Sequence, residues 1–139
     1  MKIGICALGQ DLNSLISPTF GRAPYFLIFD LDTNKLEVIP NSAFNSPRGA
    51  GVASAQVVVS QKVKAVICTN FGPNSFSVLK MAGIKVYCGA VGITVKETIE
   101  RYRKNELKEV ETPTMPGHFG FGRGRRFGLG PGRGPGRIR

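Results

Sequence analysis

The first 112 residues keep changing hydrophobic period, and this restricts the fold more than any single motif does. "KIGICAL" (2–8), "YFLIFDL" (25–31) and "KLEVIP" (35–40) read as strands, each a short apolar run ended by polar or turn residues. "GVASAQVVVSQK" (51–62) reads as a helix, although Val57-Val58-Val59 counts against it because β-branched side chains are stiff in helices. "AVICTN" (65–70) is a fourth strand, "PNSFSVLKMAG" (73–83) a helix opened by Pro and closed by Gly, and "KVYCG" (85–89) a fifth strand. "TVKETIERYRKN" (94–105) has a capping box in Thr94 and Glu97, with Val95, Ile99 and Tyr102 on one face. Asp32-Thr33-Asn34 joins the second and third strands, so these two form an antiparallel hairpin. Later strands are joined through helices and run parallel. The expected fold is a three-layer α/β/α sandwich around a mixed five-stranded sheet, in the order 3-2-1-4-5 with one antiparallel strand. Its ligand site falls outside the carboxyl ends of the strands, at the switch between the first and fourth.

The pattern stops near Thr112. Residues 113–139, "PTMPGHFGFGRGRRFGLGPGRGPGRIR", are dominated by Gly, Pro and Arg, a composition that cannot bury enough apolar surface to offset its ordering entropy. The expected organisation is a folded domain over 1–112 and a disordered basic tail over 113–139. The formal net charge is +10, from 19 Lys and Arg against 9 Asp and Glu. Six arginines and no acidic residue lie in the tail, so the domain itself is only mildly basic. No apolar run approaches the roughly 18 residues that span a bilayer, and no secretory leader is recognisable, so a cytoplasmic protein without membrane contact is expected. Three cysteines, Cys6, Cys68 and Cys88, have no close spacing, which argues against a disulfide framework or a zinc ribbon.

Several residues carry candidate chemistry. Arg22 sits between Gly21 and Pro24 at the mouth of the second strand. A stiff loop there presents a guanidinium either to an anion or to the strand edge as packing. Gly49-Ala50-Gly51 and Phe71-Gly72-Pro73-Asn74 each open a helix, where free backbone N–H groups attract anions; ordinary turn chemistry is the other reading. Cys6, Cys68 and Cys88 lie toward the ends of three neighbouring strands, so they either supply thiolates to a metal cluster or pack as small hydrophobes. The one histidine, His118, lies in the tail, and no acid–base set forms around it.

Four blocks in order, "FGRAPYFLIFD", "GAGVASAQ", "VICTNFGPNSFSVLKMAGIKVY" and "TVKETIERYRKNEL", resemble the dinitrogenase iron–molybdenum cofactor biosynthesis family, the NifX- and NafY-like proteins. The resemblance runs from Met1 to about Val110. It implies a ribonuclease-H-like fold and a non-enzymatic carrier for the iron–molybdenum cofactor or an iron–sulfur precursor, with metallocluster assembly proteins as partners. Taken with the helix-start and arginine readings above, the candidate cofactor site comprises Thr19, Phe20, Gly21, Arg22, Gly49, Gly51, Gly72 and Asn74. Family members often have His where this chain has Thr19, and a hydroxyl does not replace imidazole as a ligand to soft iron. A different class of function rests on the tail: its arginines with Phe119, Phe121 and Phe127 suit weak binding of nucleic acid or another polyanion.

Overall fold

The computed structural model describes residues 1–43 and 49–113. The elements are β1 (Lys2–Ala7), β2 (Tyr25–Asp30), β3 (Leu36–Pro40), α1 (Ala50–Ser60), β4 (Ala65–Cys68), α2 (Pro73–Met81), β5 (Lys85–Cys88), α3 (Val95–Arg103) and β6 (Lys108–Glu109). They build one mixed sheet in the order β3-β2-β1-β4-β5-β6. β1, β4 and β5 run parallel, with Ile5 beside Ile67 and Cys68 beside Cys88. β2 runs against both β1 and β3. The expected order and mixed character therefore hold, and the fold is the ribonuclease-H-like α/β type. β6 was not expected. It adds a second antiparallel strand beside β5, and its two residues are too few to show a period. The tail assigned to 113–139 lies outside the described residues beyond Pro113.

Both faces of the sheet are covered, which is why the central strands are apolar without interruption. Cys6, Phe26, Ile28, Val66, Cys68 and Val86 point to one face and pack with Ala55 and Val58 of α1 and Phe76 and Leu79 of α2. Ile3, Ile5, Ala7, Leu27 and Ile67 point to the other and pack with Val95 and Ile99 of α3. The Val57–Val59 run stays helical because Val58 is fully buried in the first core; burial outweighs the cost of β-branching.

Residues 8–16, for which the sequence offered no element, tie the two halves together. Ala7 bridges Ile16 and Leu15 bridges Thr94. The N–H groups at the start of α3 are thereby occupied: Val95 donates to Ser14 O and Lys96 to Leu12 O, both at 2.8 Å. Thr94 Oγ1 accepts from Glu97 N at 3.1 Å, so the capping box forms on its threonine side.

Candidate functional site at the carboxyl rim of the sheet

β1, β4 and β5 end at one rim, where the 17–24 loop, the start of α1 and the start of α2 meet. The loop is fixed from several directions. Phe20 N donates to Asn70 O at 3.0 Å, and Asn70 Nδ2 donates to Pro18 O at 3.1 Å. Ser17 Oγ donates to Thr19 O at 2.8 Å. Asn41 Nδ2 donates to Ala23 O at 2.8 Å and to Ser54 Oγ at 2.9 Å, and Ser54 Oγ donates onward to Gly21 O at 3.4 Å. This buried chain holds the loop to α1.

Phe20 belongs to the core rather than to the rim surface. It is 1% exposed, stacks on Phe71 at 5.4 Å between ring centroids and lies 5.3 Å from Phe26. It anchors the loop and offers no surface to a ligand. Gly21 and Gly51 likewise meet each other. A Cβ on Gly21 would lie 3.2 Å from Gly51 Cα and N, so the loop crosses the first turn of α1 backbone to backbone. A Cβ on Gly51 would lie 3.5 Å from Ser75 Cβ, which brings the first turns of α1 and α2 together. Arg22 is exposed immediately beside this junction, and Thr19 is half-buried.

Gly49 and Gly72 are the N-caps of α1 and α2, and neither helix start receives a side-chain cap. Neither first turn contains an acidic residue. Gly49 has φ +69°, a left-handed conformation that suits glycine. Gly72 is different. Its φ of −79° and ψ of 167° are open to any residue, and a Cβ there would meet nothing within 4 Å. Neither backbone nor packing demands glycine at 72. Asn74, the second residue of α2, is exposed. Among the described residues only α3 has a side-chain cap, and α1 and α2 both begin at the rim.

The cysteines come together as the strand order predicts, but as packing groups. Cys6 and Cys68 are fully buried, and Cys88 is half-buried. Cys68 Sγ donates to Ser17 O at 3.4 Å and Cys88 Sγ to Thr69 O at 2.8 Å. Burial, with contact to Cys68 next in importance, pushes the Cys6 thiol well above its ordinary range; burial also pushes Cys88 up. Raised pKa values disfavour the thiolates that a metal needs. Among the described residues no group of three or more His, Cys, Asp or Glu side chains is arranged to hold a metal ion. The expectation of Cys6, Cys68 and Cys88 as a ligand set is not met by this arrangement.

Four polar residues that build the rim escaped the sequence reading: Ser17, Asn41, Ser54 and Thr69. All are buried, and Thr69 Oγ1 has no hydrogen-bond partner among the described residues. The available signal was a polar residue where the pattern calls for an apolar one, as at Ser54 between Ala53 and Ala55.

Comparison with known proteins agrees with this architecture. The family model described as dinitrogenase iron-molybdenum cofactor matches residues 1–105. An uncharacterized protein of Methanocaldococcus jannaschii is 34% identical over 114 residues, covering 80% of this chain and 95% of its own. The apo form of the orange protein from Desulfovibrio gigas superposes with a TM-score of 0.79 at 30% identity, over 82% of this chain and 96% of that one. A Thermotoga protein with a provisional NifB name, placed in the DUF35 family, superposes with a TM-score of 0.73 at 37% identity, over 82% and 97% of the two chains. The fold, the blocks around the rim and the extent of these matches lead to one conclusion: this chain belongs to the dinitrogenase iron–molybdenum cofactor family.

Proposed function

We propose that this protein is a non-enzymatic carrier that holds an anionic metal–sulfur cofactor, of the iron–molybdenum type or an iron–sulfur precursor, at the carboxyl rim of its sheet. The observation that carries the reading is a pair of helix N-termini without a side-chain cap among the described residues, brought into contact through Gly51 and Ser75. Two positive helix ends without a neighbouring carboxylate favour a polyanion. Arg22 adds a guanidinium beside them, and the open space above Gly72 leaves room for close approach. Family membership supplies the class of cargo, and the apo description of the orange protein implies a related protein with something to bind.

The donors suit a cargo held by its anionic surface through N–H groups and a guanidinium. They do not suit one held by bonds from the protein to its metals, because no thiolate or imidazole cluster is arranged at the rim among the described residues. The same donor set requires no imidazole at Thr19. Holding without ligation also favours release to an acceptor, so metallocluster assembly proteins are the expected partners. Among the described residues no acid–base pair stands at the rim.

Anaerobic loading with iron, sulfide and molybdate, followed by visible absorption and metal analysis, tests the reading. The parent should take up coloured cargo. Arg22→Ala should weaken uptake by about 1.5–3 kcal/mol, the scale of a charge-assisted hydrogen bond, with an unchanged far-ultraviolet spectrum. A variant that loads as well as the parent would remove Arg22 from the site. A parent that takes up no metal–sulfur cargo would end the proposal.

A further inference from the structure

On the α3 face of the sheet, beside the last turn of α3, lies a cavity of about 330 Å³. Leu31, Tyr87, Tyr102, Arg103, Asn105 and Leu107 line it. The backbone fixes its walls. Leu31 N donates to Met1 O at 2.8 Å, and Tyr87 lies within β5. Asn105 is left-handed, with φ +57°, just past the end of α3. Asn105 N donates to Tyr102 O at 3.1 Å and Glu106 N to Arg101 O at 2.9 Å, the two bonds that close a helix and turn the chain sharply. That turn brings Leu107 to the cavity wall just ahead of β6. The Tyr87 and Tyr102 rings meet edge to face, 5.2 Å between centroids and 77° between planes.

Arg103 is the one charged residue among these six. Its Nη2 donates to Leu31 O at 2.9 Å and to Asn34 Oδ1 at 2.7 Å, and the guanidinium lies 5.5 Å from the centre of the Phe29 ring. These contacts hold the planar group in place, yet they use only the Nη2 side of its fork. The N–H groups on Nη1 and Nε have no hydrogen-bond partner among the described residues. A guanidinium already oriented in this way loses little freedom when it takes a carboxylate. The whole composition is that of a small-molecule site: about 300–1,000 Å³ of space, mostly apolar and aromatic walls, and a few placed polar groups.

We propose that this cavity is a binding site for a small aromatic carboxylate. The ligand's ring lies against Tyr87, Tyr102, Leu31 and Leu107, where edge and face contacts with the tyrosines are open to it. Its carboxylate accepts from the Nη1 and Nε side of Arg103 in two parallel hydrogen bonds. A dianionic phosphate ester is the weaker fit, because the end of α3 carries partial negative charge and Arg103 is the one cation in the wall. The cavity lies on the α3 face, whereas α1 and α2 pack on the other face, so the site does not depend on the cargo proposed at their starts.

Calorimetric titration of the full chain with naphthoate, and with naphthamide and naphthylmethylammonium as its neutral and cationic counterparts, tests the assignment. The parent should bind naphthoate, and the other two about tenfold more weakly, the scale of one charge-assisted hydrogen bond. Arg103→Gln should weaken naphthoate by about the same factor, and Arg103→Lys should recover part of the loss. Leu31→Trp, made independently, fills the cavity without touching the charge and should also weaken naphthoate about tenfold. Circular dichroism should show the variants folded. No naphthoate binding by the parent overturns the site, as does parent-like binding by folded Arg103→Gln or folded Leu31→Trp. Naphthamide or naphthylmethylammonium bound as tightly as naphthoate overturns the carboxylate. A loss in Arg22→Ala as large as that in Arg103→Gln would put the ligand at the carboxyl rim and overturn the cavity.

Discussion

Gly21 and Gly72 are both glycines at the rim, yet they are glycines for opposite reasons. At Gly21 the missing side chain is filled by another backbone, with Gly51 Cα and N at 3.2 Å from where a Cβ would stand. Gly21→Ala should therefore push the loop off α1 and cost about 1–3 kcal/mol, the usual range for overpacking, read by denaturant melting. Gly72 fills no such role. Gly72→Ser should add the cap that α2 lacks and stabilise the protein by a few tenths of a kcal/mol, on the order of 0.3. It should at the same time weaken cargo binding, because its hydroxyl takes the N–H groups that the cargo needs. Equal or better binding by Gly72→Ser would show that this helix end does not face the cargo. The sequence marked both glycines as special but could not separate them. The reason for Gly21 lies thirty positions away in the chain, at Gly51, and only the folded contact reveals it. Phe20 illustrates the same limit. Its place in a family block marked it for the site, while its stacking on Phe71 places it in the core.

The elements were legible wherever their period was sustained over a full strand or several helical turns. The apolar runs of β1, β2, β4 and β5 and the face of α3 were read correctly, because two covered faces and a capping box leave a direct pattern in sequence. The 8–16 segment and β6 were not legible: they are held by single bridges, to Ala7 and to the α3 cap residue Thr94, or by two residues beside β5, too few to show a period. The ends of β1, β4 and β5 show the same division. Their order placed Cys6, Cys68 and Cys88 side by side, but burial decided what the thiols do. Cys6 has a measurable consequence. Its thiol pKa is raised by burial in the folded state, so the folded protein holds this proton to higher pH than the unfolded chain does. Stability is thus fully present below the unfolded thiol pKa, about 8.5, and is lost as pH rises above it. Melts from neutral pH upward should lose up to about 1.4 kcal/mol per pH unit above that value. Cys6→Ala should flatten this dependence, at the cost of some stability lost at neutral pH. An unchanged alkaline profile in Cys6→Ala would mean that another group is responsible.

At the scale of the molecule the direction of the sheet decides at which edge each element begins and ends. Parallel strands put the starts of α1 and α2 at one edge and the strand beginnings at the other. The chain crosses from one edge to the other in its last described element, and this fixes where the folded unit should end. Val110 is 8% exposed, packs in the core under α1 and α2, and bonds to Val86 O at 2.7 Å. A chain stopped at Leu107 loses that side chain, that hydrogen bond and the pairing of β6 with β5. Burial of one valine together with one or two hydrogen bonds amounts to about 3 kcal/mol, so this chain should melt many degrees lower. A chain stopped at Pro113 keeps all of these contacts and removes only the Gly, Pro and Arg sequence, so its melting temperature should stay within about 4 °C of the parent, the shift expected for less than 1 kcal/mol. If the Pro113 truncation melted as low as the Leu107 one, the sequence beyond Pro113 would have to pack on the domain. The boundary read from composition alone would then be wrong by the whole length of the tail.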